Sequence, residues 1–252
     1  MSNIDDQVNF GFSKIDINKK TDLVKSIFSS VAGKYDLMND LMSFGWHRLW
    51  KIQLMKYLPN KAKSLIDVAG GTGDITINYC KAALRDNIIP KVTLCDINHE
   101  MLTKGENKLI DLNLIKYVQI QECNAEAMPF PDNSFDYYTI VFGIRNITHI
   151  DLALKEAHRI LKPGGKFVCM EFSQVSNKIL EKIYDTYSMT IIPKIGKLFA
   201  SNQEAYQYLV ESIRNFPCQK DFSALIQQAG FKFVNYNNLF NGITAIHFGY
   251  KI

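Results

Sequence analysis

The stretch of this chain best suited to chemistry is Ser64-Leu65-Ile66-Asp67-Val68-Ala69-Gly70-Gly71-Thr72-Gly73-Asp74, where an apolar run breaks at an acid into clustered glycines. Glycine lets backbone N–H groups approach a ligand and accepts the positive φ that such a turn needs. A helical pattern from Ile75 onward puts this turn at a helix N-terminus, the place where α/β sheets hold cofactors. It is not the dinucleotide fingerprint: counted from Gly71 and Gly73, the third glycine of G-x-G-x-x-G falls on Thr76. Three further groups stand just past apolar runs. Asp96 can accept hydrogen bonds from both hydroxyls of an unphosphorylated ribose, although Asp96 or Asn98 could equally cap the helix that follows. Asn124-Ala125 pairs a polar with a small side chain, as the edge and face of an adenine require. Arg145-Asn146 sets a permanent cation beside an amide.

These groups need a scaffold that brings them to one edge. Residues 64–68, 90–96, 117–122, 135–142 and 166–171 read as strands, with helices at 75–84, 101–112 and 151–161 between them. Strands alternating with helices specify a parallel sheet with right-handed crossovers, so Asp67, Asp96, Asn124 and Arg145 all lie toward its carboxyl edge. Residues 1–20 are polar and read as loose. Residues 21–59 read as an N-terminal helical cap, with Val24, Ile27, Phe28 and Val31 at helical spacing and a stop at Pro59. Most of its apolar side chains suit packing. Tyr35, Asp36, Asn39 and Asp40 interleave with that stripe as caps or as a polar lining. Residues 177–217 form a second helical addition, in which 189–199 is either a cover helix broken at Pro193 or a lipid-facing surface. A helix at 221–229 ends at Gly230, and 231–239 and 243–250 form a hairpin across Asn241-Gly242. Residues 1–252 make a single domain.

Composition excludes several function classes. With 47% hydrophobic and 21% charged residues the chain is an ordinary globular protein, and a net charge of +4 gives no nucleic-acid footprint. Five scattered cysteines without a C-x-x-C pattern read as reduced thiols, and no metal site is expected. The N-terminus lacks the apolar core of a signal peptide, and no run approaches the ~18 apolar residues that span a bilayer. A cytoplasmic protein is expected, meeting a membrane, if at all, peripherally at its inner face.

The loop Asp67-Val68-Ala69-Gly70-Gly71-Thr72-Gly73 resembles the nucleotide-proximal loop of S-adenosylmethionine-dependent methyltransferases, with Ala69 in the first glycine slot. The ordered elements resemble a Rossmann-like class I methyltransferase: a seven-stranded, mostly parallel sheet with an antiparallel last strand and an N-terminal helical cap. More specifically, the chain resembles the ubiquinone/menaquinone biosynthesis C-methyltransferase family along nearly its whole length. Tyr35-Asp36-Leu37-Met38-Asn39-Asp40 and Phe142-Gly143-Ile144-Arg145-Asn146 are the most specific segments, joined by His47-Arg48-Leu49-Trp50-Lys51, Leu161-Lys162-Pro163-Gly164-Gly165 and Glu171-Phe172-Ser173. The resemblance implies S-adenosylmethionine as cofactor, with contacts at Thr72, Asp96, Asn124 and Ala125; Asp67, Gly71, Gly73 and Ile97 beside them complete the candidate cofactor-binding set. Some members place a serine contact before the Phe-Gly pair, where this chain has Val141.

It further implies methylation of a ring carbon of a prenylated benzoquinol or naphthoquinol. A neutral quinol is a poor carbon nucleophile, while its phenolate pushes charge onto the ortho carbon, so the site has to favour the anion. Arg145 is too basic to accept a proton at neutral pH and is assigned to stabilising the phenolate, with Asn146 orienting the oxygen or a water. Water, Tyr35, Asp36 or His149 remain open as the base. The competing role for Arg145 is an ion pair with a cap acid, Asp36 or Asp40. His47, His158 and His247 read as packing or surface residues. Alternatives to quinol methylation are another small phenol or a lipid headgroup as acceptor, or a non-catalytic subunit of a quinone-making complex. Partners are thus the prenylated quinol, a membrane surface, and a homodimer or quinone-biosynthesis complex for which Tyr206 to Phe216 could supply an interface.

Overall fold

A computed structural model of the protein describes residues 7–31, 39, 40, 43, 45–175, 186, 190 and 203–252. Its centre is a seven-stranded sheet built from β3 (Ser64–Val68), β4 (Lys91–Asp96), β5 (Val118–Glu122), β6 (Phe135–Val141), β7 (Leu161–Phe172), β8 (Lys232–Leu239) and β9 (Thr244–Tyr250). The strands lie in the order β5-β4-β3-β6-β7-β9-β8. Pairings from β5 to β7 are parallel, while β9 runs antiparallel to both β7 and β8. The chain therefore reverses direction across the sheet between β3 and β6, the switch point at which α/β sheets open a crevice. The expected seven-stranded class is present, hairpin included.

The central strands are buried on both faces, and their side chains alternate between two cores. Leu65, Leu94, Tyr137 and Val168 pack on one side with Tyr79 of α3 (Asp74–Arg85), Leu102 and Leu109 of α4 (His99–Asp111), and Trp50 and Leu54 of α2 (His47–Leu54). Ile66, Cys95, Tyr138, Ile140 and Phe167 pack on the other with Leu154 and Ile160 of α5 (Ile150–Ile160) and Phe222 and Ile226 of α7 (Gln219–Gln228). Each such side chain contributes roughly 1.5–3 kcal/mol on burial, which explains why nearly continuous apolar runs form these strands. Phe135 opposes Leu161 whereas Tyr137 opposes Lys166, so Lys162–Gly165 loops out at the start of β7.

Two expectations need correction. Residues 7–16 are not loose: β1 (Gln7–Phe10) and β2 (Ser13–Asp16) form an antiparallel hairpin whose polarity reflects edge exposure, not disorder. Helix α1 (Ile17–Val31) starts four residues before Thr21, with Lys20 buried and donating to the carbonyl of Ile147. Of the two cap candidates the structure selects Asn98 for α4, its Oδ1 accepting from the amide of Met101 at 3.1 Å. The segment 189–199, apart from residue 190, and the residues Tyr35 and Asp36 lie outside the described residues.

Candidate active site

Two turns at the carboxyl edge form the floor of a cleft. The chain leaves β3 through Ala69 at φ 49° and leaves β6 through Phe142 at φ 56°, both in the left-handed region that side chains other than glycine avoid. The turns abut: a Cβ on Gly143 would sit 2.5 Å from that of Ala69, so the alanine fits only because glycine faces it. Gly70 is likewise excluded from carrying a side chain, its Cβ falling 2.4 Å from Leu94 Cδ1. Behind the loop, fully buried Asp67 accepts from the amide and hydroxyl of Thr76 at 3.2 and 2.9 Å and from the Thr139 hydroxyl at 3.0 Å. Burial pushes its carboxyl up to about 6 against these hydrogen bonds.

Above this floor opens a cleft with about 790 Å³ of empty space, open solvent included. Gly71, Asp96, Ile97, Asn124, Ala125 and Asn146 line it together. Asp67, Thr72, Gly73 and Arg145 do not. Thr72 is buried, and its hydroxyl accepts from Lys108 at 3.1 Å. Asp96 Oδ2 accepts from the Gly71 amide and Oδ1 from the Asn98 amide, each at 2.9 Å. Burial raises this carboxyl to about 6, opposed by those same amides. Each oxygen keeps a lone pair, so a vicinal pair of hydroxyls fits here, as does a flat base against Ala125. The donor set therefore suits an adenosyl group.

The opposite wall comes from α1, through Thr21, Val24, Lys25 and Phe28, of which the helical spacing marks Val24 and Phe28, chiefly as packing residues. The Asn98 amide fastens that wall by donating to the carbonyl of Lys25 and to Ser29 Oγ. Glu126 also lines the cleft and ties two turns together, accepting from the amides of Thr148 and His149 and contacting His149 Nδ1 at 2.7 Å. Glu126 belongs to the Asn124-Ala125-Glu126 segment of the family resemblance, but its tying role was not legible in the sequence, because its partners lie 22 and 23 residues away.

Arg145 turns from the cleft. Its Nη1 donates to Glu171 Oε1 and to the carbonyl of Phe142, both at 2.7 Å, and the side chains of the ion pair are 2% and 0% exposed. Among the described residues the partner is thus an acid of β7 and not Asp40, which instead holds His47 and Arg48 at 2.8 and 2.9 Å. Desolvation pushes the Glu171 carboxyl up, with Arg145 the main influence holding it down. Arg145 faces a neighbouring cavity lined also by Lys20, Tyr208 and Ser212. Asn146 stands between the two cavities, reached by the Tyr208 hydroxyl at 3.1 Å.

Comparison with known proteins places this geometry in context. Residues 15–251 match the ubiE/COQ5 methyltransferase family. The ubiquinone/menaquinone biosynthesis C-methyltransferase UbiE of Rickettsia typhi (strain ATCC VR-144 / Wilmington) is 56% identical over 247 residues, covering 98% of this chain and 99% of its own. The protein of the same name from Rickettsia bellii (strain OSU 85-389) is 54% identical over 246 residues, with 98% and 99% covered. Among solved structures, a methyltransferase from Thermotoga maritima described as a possible histamine N-methyltransferase superposes with a TM-score of 0.61 at 20% identity, covering 91% of this chain and all of its own. An S-adenosylmethionine-dependent methyltransferase from Aquifex aeolicus gives 0.59 at 15% identity, covering 94% of this chain and all of its own. At such identities the structural likeness speaks for the fold.

Proposed function

The chain belongs to the ubiE/COQ5 methyltransferase family, and from that premise we propose that it methylates a ring carbon of a prenylated benzoquinol or naphthoquinol in quinone biosynthesis. The observation that carries this reading is the convergence of Gly71, Asp96, Asn124, Ala125 and Asn146 on one cleft at the switch point of the sheet. Asp96 takes the ribose hydroxyls, Asn124 and Ala125 the adenine, and Gly71 and Ile97 flank them. Asp67, Thr72 and Gly73 hold the loop in shape from behind. When bound, S-adenosylmethionine supplies an electrophilic sulfonium methyl.

The residues of the chain then have two tasks: to align the acceptor carbon and to favour the ring oxyanion of a phenol whose ordinary pKa is about 10. Asn146 is the group that reaches the cleft and contacts that oxygen. Arg145, fixed by Glu171 and by the Phe142 carbonyl, contributes its field from beneath the same turn. Tyr35 is our candidate to relay the ring proton. Residues 21–59 and 177–217 act as the cap and the cover on the substrate side, parts of a single domain. Exposed Leu49 and Ile52 of α2, with Trp46 beside them, offer a peripheral membrane contact.

The test is purified protein with labelled S-adenosylmethionine and both demethylated quinols under reducing conditions, scored for methyl on carbon. Transfer to one or both quinols is expected. Donor binding without transfer to either would overturn the acceptor assignment. Arg145→Ala is expected to bind the donor normally in calorimetry and to lose methylation, whereas unchanged turnover would remove Arg145 from the mechanism.

A further inference from the structure

Position 146 carries an amide whose two ends differ: Oδ1 accepts hydrogen bonds and Nδ2 donates them. Which end meets the substrate decides whether Asn146 favours a ring hydroxyl or a ring oxyanion. The side chain lines the cofactor cleft, but its Oδ1 is engaged from the other side by the Tyr208 hydroxyl at 3.1 Å. Tyr208 belongs to α6 (Gln203–Asn215) and is 5% exposed. Its ring is held in turn by Phe10 of the N-terminal hairpin, stacked at 4.5 Å between centroids and 29° between planes. One helical turn along α6, Ser212 Oγ lies 3.4 Å from Arg145 Nε and donates to the carbonyl of Leu209. A single face of α6 therefore grips both members of the Arg145-Asn146 pair.

We propose that Tyr208 is a positioning residue that donates to Asn146 Oδ1 and so presents Nδ2 to the cleft as a hydrogen-bond donor for the substrate's ring oxygen. This deepens the functional reading above and rests on it. The hydroxyl is a dependable donor, because burial pushes Tyr208 up to about 12, with Arg145 opposing the rise, and its proton stays on at any pH of interest. An amide donor strengthens its bond as the ring oxygen gains charge, whereas an amide acceptor would repel the oxyanion. Tyr208 thus acts through Asn146, without meeting the ring itself.

Tyr208→Phe keeps the stacking on Phe10 and removes only the hydroxyl. Its kcat on the quinol is expected to fall about tenfold, the worth of one charge-assisted hydrogen bond, while donor affinity in calorimetry stays within about twofold. The acid limb of the pH profile of kcat is expected to move to higher pH, since the oxyanion of the bound ring loses support. In an Asn146→Ala background the same substitution is expected to do nothing further. An equal loss in both backgrounds, or an unmoved pH limb, would overturn the assignment. The side-chain amide resonances of Asn146, identified by their disappearance in Asn146→Ala, read the contact without any turnover. They are expected to shift in Tyr208→Phe, and unshifted resonances would refute the contact whatever the acceptor. Should the parent protein methylate neither quinol while those resonances do shift, the substrate reading fails and the positioning contact stands.

Discussion

Two carboxylates, buried Asp67 and half-buried Asp96, differ in their relation to the cleft, although desolvation raises each to about 6. Asp67 is fully buried and does not line the cleft, so its shift bears on stability. Its folded value lies above the ordinary carboxylate pKa near 4, so the stability it contributes is complete below about pH 4 and is lost as pH rises through about 6. Asp67→Asn keeps acceptors and a donor for Thr76 and Thr139 and cannot titrate. The stability of the parent relative to this variant is expected to rise by on the order of 2–3 kcal/mol between pH 7 and pH 4, read by denaturant unfolding at each pH. A pH-independent difference would show that the carboxyl is ordinary. Asp96 lines the cleft, and in the proposed role its oxygens accept from the ribose hydroxyls, so protonation would remove an acceptor. Affinity for S-adenosylmethionine is expected to decline as pH falls below about 6, and Asp96→Asn to bind at least about tenfold more weakly at pH 7.5 and to lack that decline. Native affinity in the variant would overturn the ribose assignment.

The elements show what can and cannot be read from a linear chain. Strand and helix order was legible because buried parallel strands are short apolar runs and their crossovers carry a helical period, both of which are local patterns. The acid at the end of β4 and the glycines after β3 were legible for the same reason, since chain order alone brings them to one edge. The partner of Arg145 was not. Glu171 sits 26 residues on, at the end of a neighbouring strand, and only the β6–β7 register makes them meet. The hairpin at residues 7–16 was missed because its strands are only four residues each: Gln7-Val8-Asn9-Phe10 alternates, but over too short a run to stand out, and Ser13–Asp16 is mostly exposed. Contact between turns is equally invisible in sequence, and it gives a sharp expectation. Gly143→Ala would force a Cβ against Ala69 and is expected to destabilise the protein by about 1–3 kcal/mol and to weaken donor binding with it. Adding Ala69→Gly clears the clash and relieves a left-handed alanine, so the double variant is expected to recover most of the loss. Additive damage in thermal unfolding would mean that the two turns do not bear on each other.

At the scale of the whole molecule, the substrate imposes a problem that the cleft cannot solve alone, because a prenylated ring resides in a bilayer. No helix among the described residues is long and apolar enough to cross one. What α2 offers is a surface: Leu49 and Ile52 share one face and are 55% and 58% exposed, and Trp46 beside them, 41% exposed, packs on Phe240 at 4.8 Å. Phe240 lies in the turn between β8 and β9, whose first paired residue, Thr244, opposes Phe172 at the end of β7. The patch thus lies toward the carboxyl edge, on the same edge of the sheet as the cleft. Apolar side chains at such exposure add little to folding, and transferring two of them from water into lipid is worth roughly 1–3 kcal/mol in total. Leu49→Ser with Ile52→Ser is therefore expected to leave the unfolding midpoint within about two degrees and to lower partition onto liposomes about tenfold in sedimentation. Turnover should separate in the same way: a short-tailed quinol in solution is methylated at the parental rate, while a long-tailed quinol presented in liposomes is methylated several-fold more slowly. If both substrates slow together, the face belongs to the fold and not to the membrane, and if neither slows, the prenyl chain enters by another route.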